Sequence, residues 1–548
     1  FLRKLEVVDE DNETEPSMWI NRDLAPVPHD RRTWGAWNYV SYWISDCLNV
    51  NTWMIAGSLI ATGMNYWQAL ITVAVGYSLA AVVLVFNGMS GARYHVGFPV
   101  ISRSSFGLVG SFIPILNRVI MACVWYGVQA WIGGQCVYQM LRAIAPSIDN
   151  ISNPFPNDGS GLTIQYFIGF IVFWFVSLFA IWVPIEKIRH LFTVKSIFLP
   201  IAAFALFIWS IVAAHGLGPI IDAPATFTSS DQAAWAIING ITGCLGNMAA
   251  LIINTPDFTR YARKPSDIFY SQLITMPVGF FITSFIGVIV TSSAQVLYGE
   301  AIWNPLELLD KMDSRPAVFF IALAFALATL ATNLCANSIP AGADMSALMP
   351  RYLNIRRGGY ICAIIGICIE PWKLLSGAGN FLNFLSAYAV FLGPICGVMV
   401  ADYFLVKRKH IVVADLFKRD GIYWYSYGIN WRGYAGYIGG IIPNLPGFVG
   451  AMGISVPIGA THVYAFAWIL GFLLGGLIYY LCNLAFPCKW IIEERRKEVR
   501  YDNEEKPGVL PPTTDEEREH RASIASSHQE WYGNTTEAKQ EAKEETTV

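Results

Sequence analysis

Charge is what this sequence lacks through most of its length. Lys, Arg, Asp and Glu make up 14% of its 548 residues, against about 25% in an ordinary soluble domain. The shortage is local. Residues 1–33 hold 13 of the 77 charged side chains and residues 489–548 hold 25, which leaves 39 for the 455 residues between. So few charges cannot coat a water-facing surface of that extent. A soluble enzyme and a nucleic-acid binder are therefore excluded as readings of the whole chain. With 54% apolar residues, the chain reads as an all-α membrane protein. Residues 34–488 form the membrane domain, between polar tails at 1–33 and 489–548.

Other absences narrow the field. The ten cysteines contain no CxxC pair, and Cys47, Cys123, Cys244, Cys335 and Cys396 lie inside apolar runs. They read as small buried apolar residues, and no metal site or bound cofactor is expected. No HExxH, GxSxG or P-loop occurs, so there is no nucleophile or metal constellation for a membrane enzyme. No repeated filter motif or continuous polar lining suggests a channel. The first residues, FLRKLEVVDEDNETEPS, have no apolar core, so no signal peptide is expected. The tail from Lys489 is rich in Glu, Lys, Ser and Thr and is expected to stay unfolded.

What is present is a series of apolar runs. A spanning helix needs about 20 mostly apolar residues. Twelve spans are expected, at 38–62, 67–86, 112–143, 163–183, 191–214, 234–254, 268–297, 316–338, 358–375, 380–404, 433–453 and 462–486. The break between spans 9 and 10 is the run GAGN, and Pro443 and Pro446 interrupt span 11. Gaps following even-numbered spans carry sixteen Lys and Arg, and those following odd-numbered spans carry two. By the positive-inside rule the former face the cytoplasm, as do both tails. The sequon at Asn150 falls in an outer gap, whereas those at Asn12 and Asn534 fall in the cytoplasmic tails.

Polar residues inside the spans mark a site. Span 1 carries Asp46, Asn49 and Asn51 at its middle. An ionised Asp at mid-bilayer costs about 2.5–3.5 kcal/mol on insertion scales, so it should face a cavity or a partner. Span 6 carries Gly240, Gly243 and Gly246, then Asn247. Each glycine weakens a helix by about 1 kcal/mol, and spans 1 and 6 are both expected to unwind at mid-membrane. Span 3 carries Trp125 and Gln129, and span 8 carries Asn333 and Asn337. Each pair is spaced i, i+4 and shares a helix face. Broken spans at 1 and 6 with polar faces at 3 and 8 fit a five-plus-five inverted repeat, whose substrate site lies near the midplane.

The runs NRDLAPVPHDRRTW, NGMSGARYHVGFPVISRSSFG, NTPDFTRYARKP and LGPICGVMVADYFLVKRKHIVVADLFKRDGIYWY closely resemble the nucleobase–cation symporter-1 family. Within it the chain is most similar to the fungal branch of uracil, allantoin, uridine and related permeases. The resemblance runs from about Asn21 to about Cys488 and implies a LeuT-like inverted repeat with two extra helices at the end. It implies that Trp125 stacks on a flat substrate ring, that Gln129 and Asn337 bond its amides, and that Asn333 supports them. Asn49 and Asn247, beside the two expected breaks, complete the candidate set. Hydantoin-transporting relatives have a second tryptophan where Met248 stands here, and methionine sulfur can still touch a π face. Phe381, Leu382 and Phe384 match the family's outer gate.

A heterocyclic amide suits such a set. Stacking on Trp supplies about 1–3 kcal/mol per base and tolerates different rings. Gln and Asn each offer an acceptor and a donor, matching the N–H/C=O alternation of uracil or a hydantoin. No Lys or Arg is expected beside the site, so an anionic substrate is not favoured. The sodium positions of the family fall on Ser45, Leu48, Ala328, Ala331 and Thr332. Ala331 has no side-chain oxygen, which argues against tight sodium binding. A co-transported proton needs only a titratable group, with Asp46 the first candidate and Asp344 the second, unless Asp344 is a surface residue at a helix end.

The expected function is secondary active import, at the plasma membrane, of a nucleobase or related heterocyclic amide of the uracil, allantoin or uric acid class, by proton symport. Alternatives on the same fold are a nucleoside or vitamin-like heterocycle permease, or a nutrient receptor that does not transport. The resemblance also implies ubiquitin ligase machinery acting on tail lysines such as Lys497, Lys506, Lys539 and Lys543.

Overall fold

The computed structural model describes residue 6 and residues 18–156, 159–183, 185–217, 221–488 and 490. The secondary structure is helical, and the described residues contain isolated bridges but no strand. Nine helices among them are long and apolar enough to cross a membrane. At the three other expected spans the helices are shorter. The first is α1 (Ala36–Cys47) followed by α2 (Val50–Ala61). Then come α3 (Tyr66–Tyr94), a short α4 (Phe98–Phe106), α5 (Phe112–Ile144), α6 (Ile164–Trp182) and α7 (Ile185–Ala213). They are followed by α8 (Ser230–Ile253), α9 (Ser266–Tyr298) and α10 (Arg315–Leu348). Further along the chain are α11 (Ile355–Cys368), α12 (Ala378–Val406), α13 (Trp431–Ile441), α14 (Leu445–Ala451) and α15 (Ala467–Ala485).

Span 1 breaks where its polar residues stand. Leu48 and Asn49 leave helical geometry, and the Asn49 side chain accepts from the Thr52 N–H at 2.7 Å. Asn49 thus restarts the helix as an N-cap, satisfying a donor that the break exposes. Span 6 does not break. α8 runs unbroken past Gly240, Gly243 and Gly246 and ends at Ile253. The reason is contact. A Cβ on Gly240 would come within 2.6 Å of the Thr72 methyl, and the Leu385 carbonyl occupies the space of one on Gly246. These glycines let α3 and α12 approach α8 closely, the use small residues serve between membrane helices.

Glycine has the same use at the C-terminal helices. Gly393 and Gly397 of α12, Gly436 and Gly440 of α13, and Gly471 and Gly475 of α15 each stand against backbone of a neighbouring helix. Span 11 is interrupted as its prolines suggest, by a 3-10 turn at Ile442–Asn444 between α13 and α14. Span 9 ends earlier than expected: α11 stops at Cys368, and Pro371–Lys373 forms a separate turn.

Residues 18–33 are not a detached tail. Asn21 donates to Ser346 Oγ at 2.7 Å and to the Pro350 carbonyl, while Val27 N–H bonds the His95 carbonyl. The segment therefore lies on the end of α10 and the turn after α3. The C-terminal tail expected at 489–548 falls, but for residue 490, outside the described residues, as do its candidate lysines.

Candidate functional site

α5 and α10 build the centre of the site. Trp125 and Gln129 lie one turn apart on α5, both buried. In α10 the expected polar face coincides with a π turn at Asn333–Ser338, a local widening of the kind that recurs at functional sites. Asn337 Nδ2 donates to Asn333 Oδ1 at 3.0 Å, and Asn333 Nδ2 donates to the Tyr126 carbonyl at 3.2 Å. The pair is thereby tied to α5 beside Trp125. The Gln129 amide is 4% exposed and bonds no described residue. Its donor and acceptor are thus both free for a ligand.

α12 supplies the wall opposite α5, and it carries a residue that sequence reasoning missed. Tyr388 OH accepts from Trp125 Nε1 at 3.2 Å and donates to the Gly246 carbonyl at 2.7 Å. One hydroxyl thus joins α5, α12 and α8. Its only sequence signal was its position four residues after Phe384. Phe384 lies 5.5 Å from the Trp125 ring and 5.2 Å from Tyr388, between centroids. Leu382 faces Gly243 of α8. Phe381 is fully buried and stacks on Trp303 at 5.6 Å, away from Trp125.

The polar residues of the first and sixth spans meet each other. Asn51 Nδ2 donates to Asn247 Oδ1 at 2.8 Å, and Asn247 Nδ2 donates to Tyr77 OH at 3.2 Å and approaches Met248 Sδ at 3.6 Å. This chain of bonds connects α2, α8 and α3 at the break. Asn49 is committed to capping α2, and it also bonds the Asp46 carbonyl. Ser45 is buried and its hydroxyl bonds nothing described.

The expectation that no basic residue stands near the site needs correction. Lys195 of α7 is 1% exposed, and its Nζ donates to Thr332 Oγ1 at 2.9 Å. The Lys195 amine therefore sits on one of the expected sodium positions. Span 5 was expected at 191–214, with Lys195 four residues into it. The helix begins at Ile185, so Lys195 lies about 15 Å along it at 1.5 Å per residue. Ala328 and Ala331 are fully buried and carry no polar side-chain atom.

Asp344 is not a surface residue at a helix end. It is 0% exposed and pairs with Arg118 of α5 at 3.2 Å. Arg118 stands seven residues before Trp125, and Asp344 seven after Asn337. In two antiparallel helices this is one rung about 10 Å from the Trp125–Asn337 level.

A family model described as permease for cytosine/purines, uracil, thiamine, allantoin matches residues 26–471. The allantoin permease of Saccharomyces cerevisiae is 42% identical over 490 residues, covering 86% of this chain and 76% of that one. The uracil permease of the same yeast is 40% identical, covering 86% and 77%. An uncharacterized permease of Schizosaccharomyces pombe is 49% identical, covering 87% and 83%. Among solved structures, the nucleobase-cation-symport-1 family transporter Mhp1, closed with bromovinylhydantoin bound, aligns with a TM-score of 0.67. It does so at 21% identity over 92% of this chain and 99% of that one. Its inward-facing conformation aligns with a TM-score of 0.68 at the same identity, over 88% and 98%. These two likenesses show the LeuT-like fold.

Proposed function

The chain belongs to the family of permeases for cytosine/purines, uracil, thiamine and allantoin, a family of transporters and not of enzymes, and from that premise we propose that it imports a nucleobase or related heterocyclic amide of the uracil, allantoin or uric acid class by proton symport with alternating access. The observation that carries the substrate reading is the uncommitted Gln129 amide, one helical turn from the Trp125 ring and across from the Asn333–Asn337 pair. A planar amide stacked on Trp125 supplies the donor and acceptor that Gln129 lacks. Its second edge reaches the Asn337 oxygen, which bonds no described residue. Met248, Asn247 and Asn49 frame the site from the break. Leu382 and Phe384 cover it from α12, with Phe381 at the outer end.

Proton coupling follows from the surroundings of Asp46. Lys195 already donates to Thr332, and Ala331 offers no oxygen, so the sodium set is short of one ligand and a second is already engaged. In our reading Asp46 takes up the proton, and Lys195 compensates its charge in the unprotonated state. Protonation and substrate both favour the closed, dry site, so each strengthens the other's binding. Asp344 is already compensated by Arg118 and is the weaker candidate. The chain is read as twelve spans, the three with shorter helices included, in a five-plus-five inverted repeat with two further helices. Both termini are placed in the cytoplasm and the protein in the plasma membrane.

The test is uptake of radiolabelled uracil, allantoin and uric acid in cells lacking their own carriers. It is run with a competition panel, with and without a protonophore, and with sodium replaced by choline. Binding without accumulation would identify a receptor. Accumulation that needs sodium and survives the protonophore would overturn the coupling.

A further inference from the structure

A cluster of charged residues outside the site holds one segment in place. Residues Ile302, Trp303, Leu306, Leu308 and Leu309, between α9 and α10, are buried. Trp303 stacks on the gate residue Phe381, and its backbone lies against Gly57 of α2, where a Cβ would come within 2.8 Å of the Trp303 carbonyl. The segment thus caps the start of α12 and the second half of the broken first span.

Its polar anchor is on α5. Arg142 Nη1 donates to Asp310 Oδ1 at 2.8 Å, and Arg142 Nε donates to Asp149 Oδ2 at 3.0 Å. Gln139 Nε2 donates to Asp310 Oδ1 and to the Leu306 carbonyl, each at 2.8 Å. Tyr138 OH donates to Asp149 at 2.8 Å. Asn304 Nδ2 donates to Gln135 Oε1 at 3.2 Å. Four residues of one α5 face, at 135, 138, 139 and 142, therefore hold the cap and the turn at Pro146–Asn150. Asp310 is the one carboxylate on the cap that Arg142 grips. Asp149 pulls on the same guanidinium from α5's own side.

We propose that Arg142 and Asp310 form an outer clasp that holds the cap over Phe381, and that the clasp loosens when Asp310 is protonated from the outside. The outer placement rests on the orientation adopted under Proposed function. The apolar residues of the cap supply the seal, and the ion pair sets how often it lifts. Groups facing Asp310 are Arg142, Gln139 and Tyr138 of α5, Tyr166 of α6, Asp149 of the turn after α5, and Glu307 and Lys311 of the cap itself. Burial pushes the Asp310 carboxyl above its ordinary range, against the pull of Gln139 and Arg142. The charged form is therefore lost as external pH falls through that raised value, and the attraction to Arg142 goes with it. Glu307 of the cap is likewise raised by burial and is held by Asn304, not by Arg142.

The test reads cap opening and not transport, so its failure is distinguishable from failure of the substrate reading. A reporter Leu382→Cys is placed beside Phe381 in a Cys368→Ser background, because Cys368 is exposed. Labelling by a membrane-impermeant thiol reagent added outside intact cells is followed with time, at several external pH values. Asp310→Asn should label about threefold faster or more than its parent at neutral pH, the scale of one or two partly exposed charge pairs. Arg142→Gln should do the same and supplies the measurement if Asp310→Asn is retained inside the cell. Asp149→Asn should not, because it leaves the grip on the cap intact. The ratio of Asp310→Asn to parent should fall toward one as the outside is acidified, which cancels the reagent's own pH dependence. Equal rates in parent, Asp310→Asn and Arg142→Gln would overturn the clasp. A ratio independent of pH would overturn the proton sensing.

Discussion

Replacing Tyr388 with Phe removes one oxygen and leaves the ring that packs against Phe384. That oxygen satisfies two buried groups, the Trp125 indole N–H at 3.2 Å and the Gly246 carbonyl at 2.7 Å. Leaving a buried polar group unpaired costs about 1–3 kcal/mol. The indole N–H can recover part of this by turning, at the expense of the orientation that stacking needs. A net loss of about 2 kcal/mol is expected, or roughly thirtyfold in affinity at 1.4 kcal/mol per factor of ten. Because the hydroxyl acts through the position of Trp125, the change should appear mainly as a raised KM for substrate uptake. The assay is initial uptake against substrate concentration, normalised to protein at the cell surface. Trp125→Phe also removes the indole N–H, so the double variant with Tyr388→Phe should lose less than the sum of the two. Tyr388→Phe at full surface level with a KM within about twofold of the parent would refute the bridge, as would strict additivity.

Alanine at Trp125, Gln129 or Asn337 should each abolish or greatly weaken uptake without loss of surface protein; normal uptake in any two would remove the site. Lys195→Met should leave the buried Thr332 hydroxyl without its donor and remove the charge that our reading sets against Asp46. Accumulation should then be lost, and adding Asp46→Asn should restore stability in a thermal melt but not uphill transport. Asp46→Asn alone should permit exchange of labelled for unlabelled substrate while losing accumulation; concentration of substrate by that variant would clear Asp46 of the coupling role. Gly246→Leu should collapse folding, because the Leu385 carbonyl occupies the space of the new side chain; a melting temperature unchanged in detergent would contradict the close approach of α8 and α12. Deleting residues from about 500 onward should leave initial uptake per surface molecule intact, and its complete loss would show that the tail takes part in transport.

The sequence by itself determined what a low-dielectric solvent dictates. Long apolar runs have to become helices in a bilayer, because every backbone polar group must be paired within its own segment. Polar residues inside those runs have to find partners, so Asn51, Asn333 and Asn337 were legible as inward-facing before any contact was known. The break at Leu48–Asn49 was legible for the same reason, since Asn49 is a residue that can cap a restarted helix. Only the tertiary structure decided what the glycines do. Gly240 and Gly246 weaken a helix in isolation, yet α8 stays whole because Thr72 and Leu385 close against them. It also decided partners that depend on which helices adjoin. Tyr388 reaches Trp125 across 263 positions, and Lys195 reaches Thr332 across 137. An apolar pattern records which face of a helix is buried, but not which neighbour buries it, and the chemistry of this site lies in those neighbours.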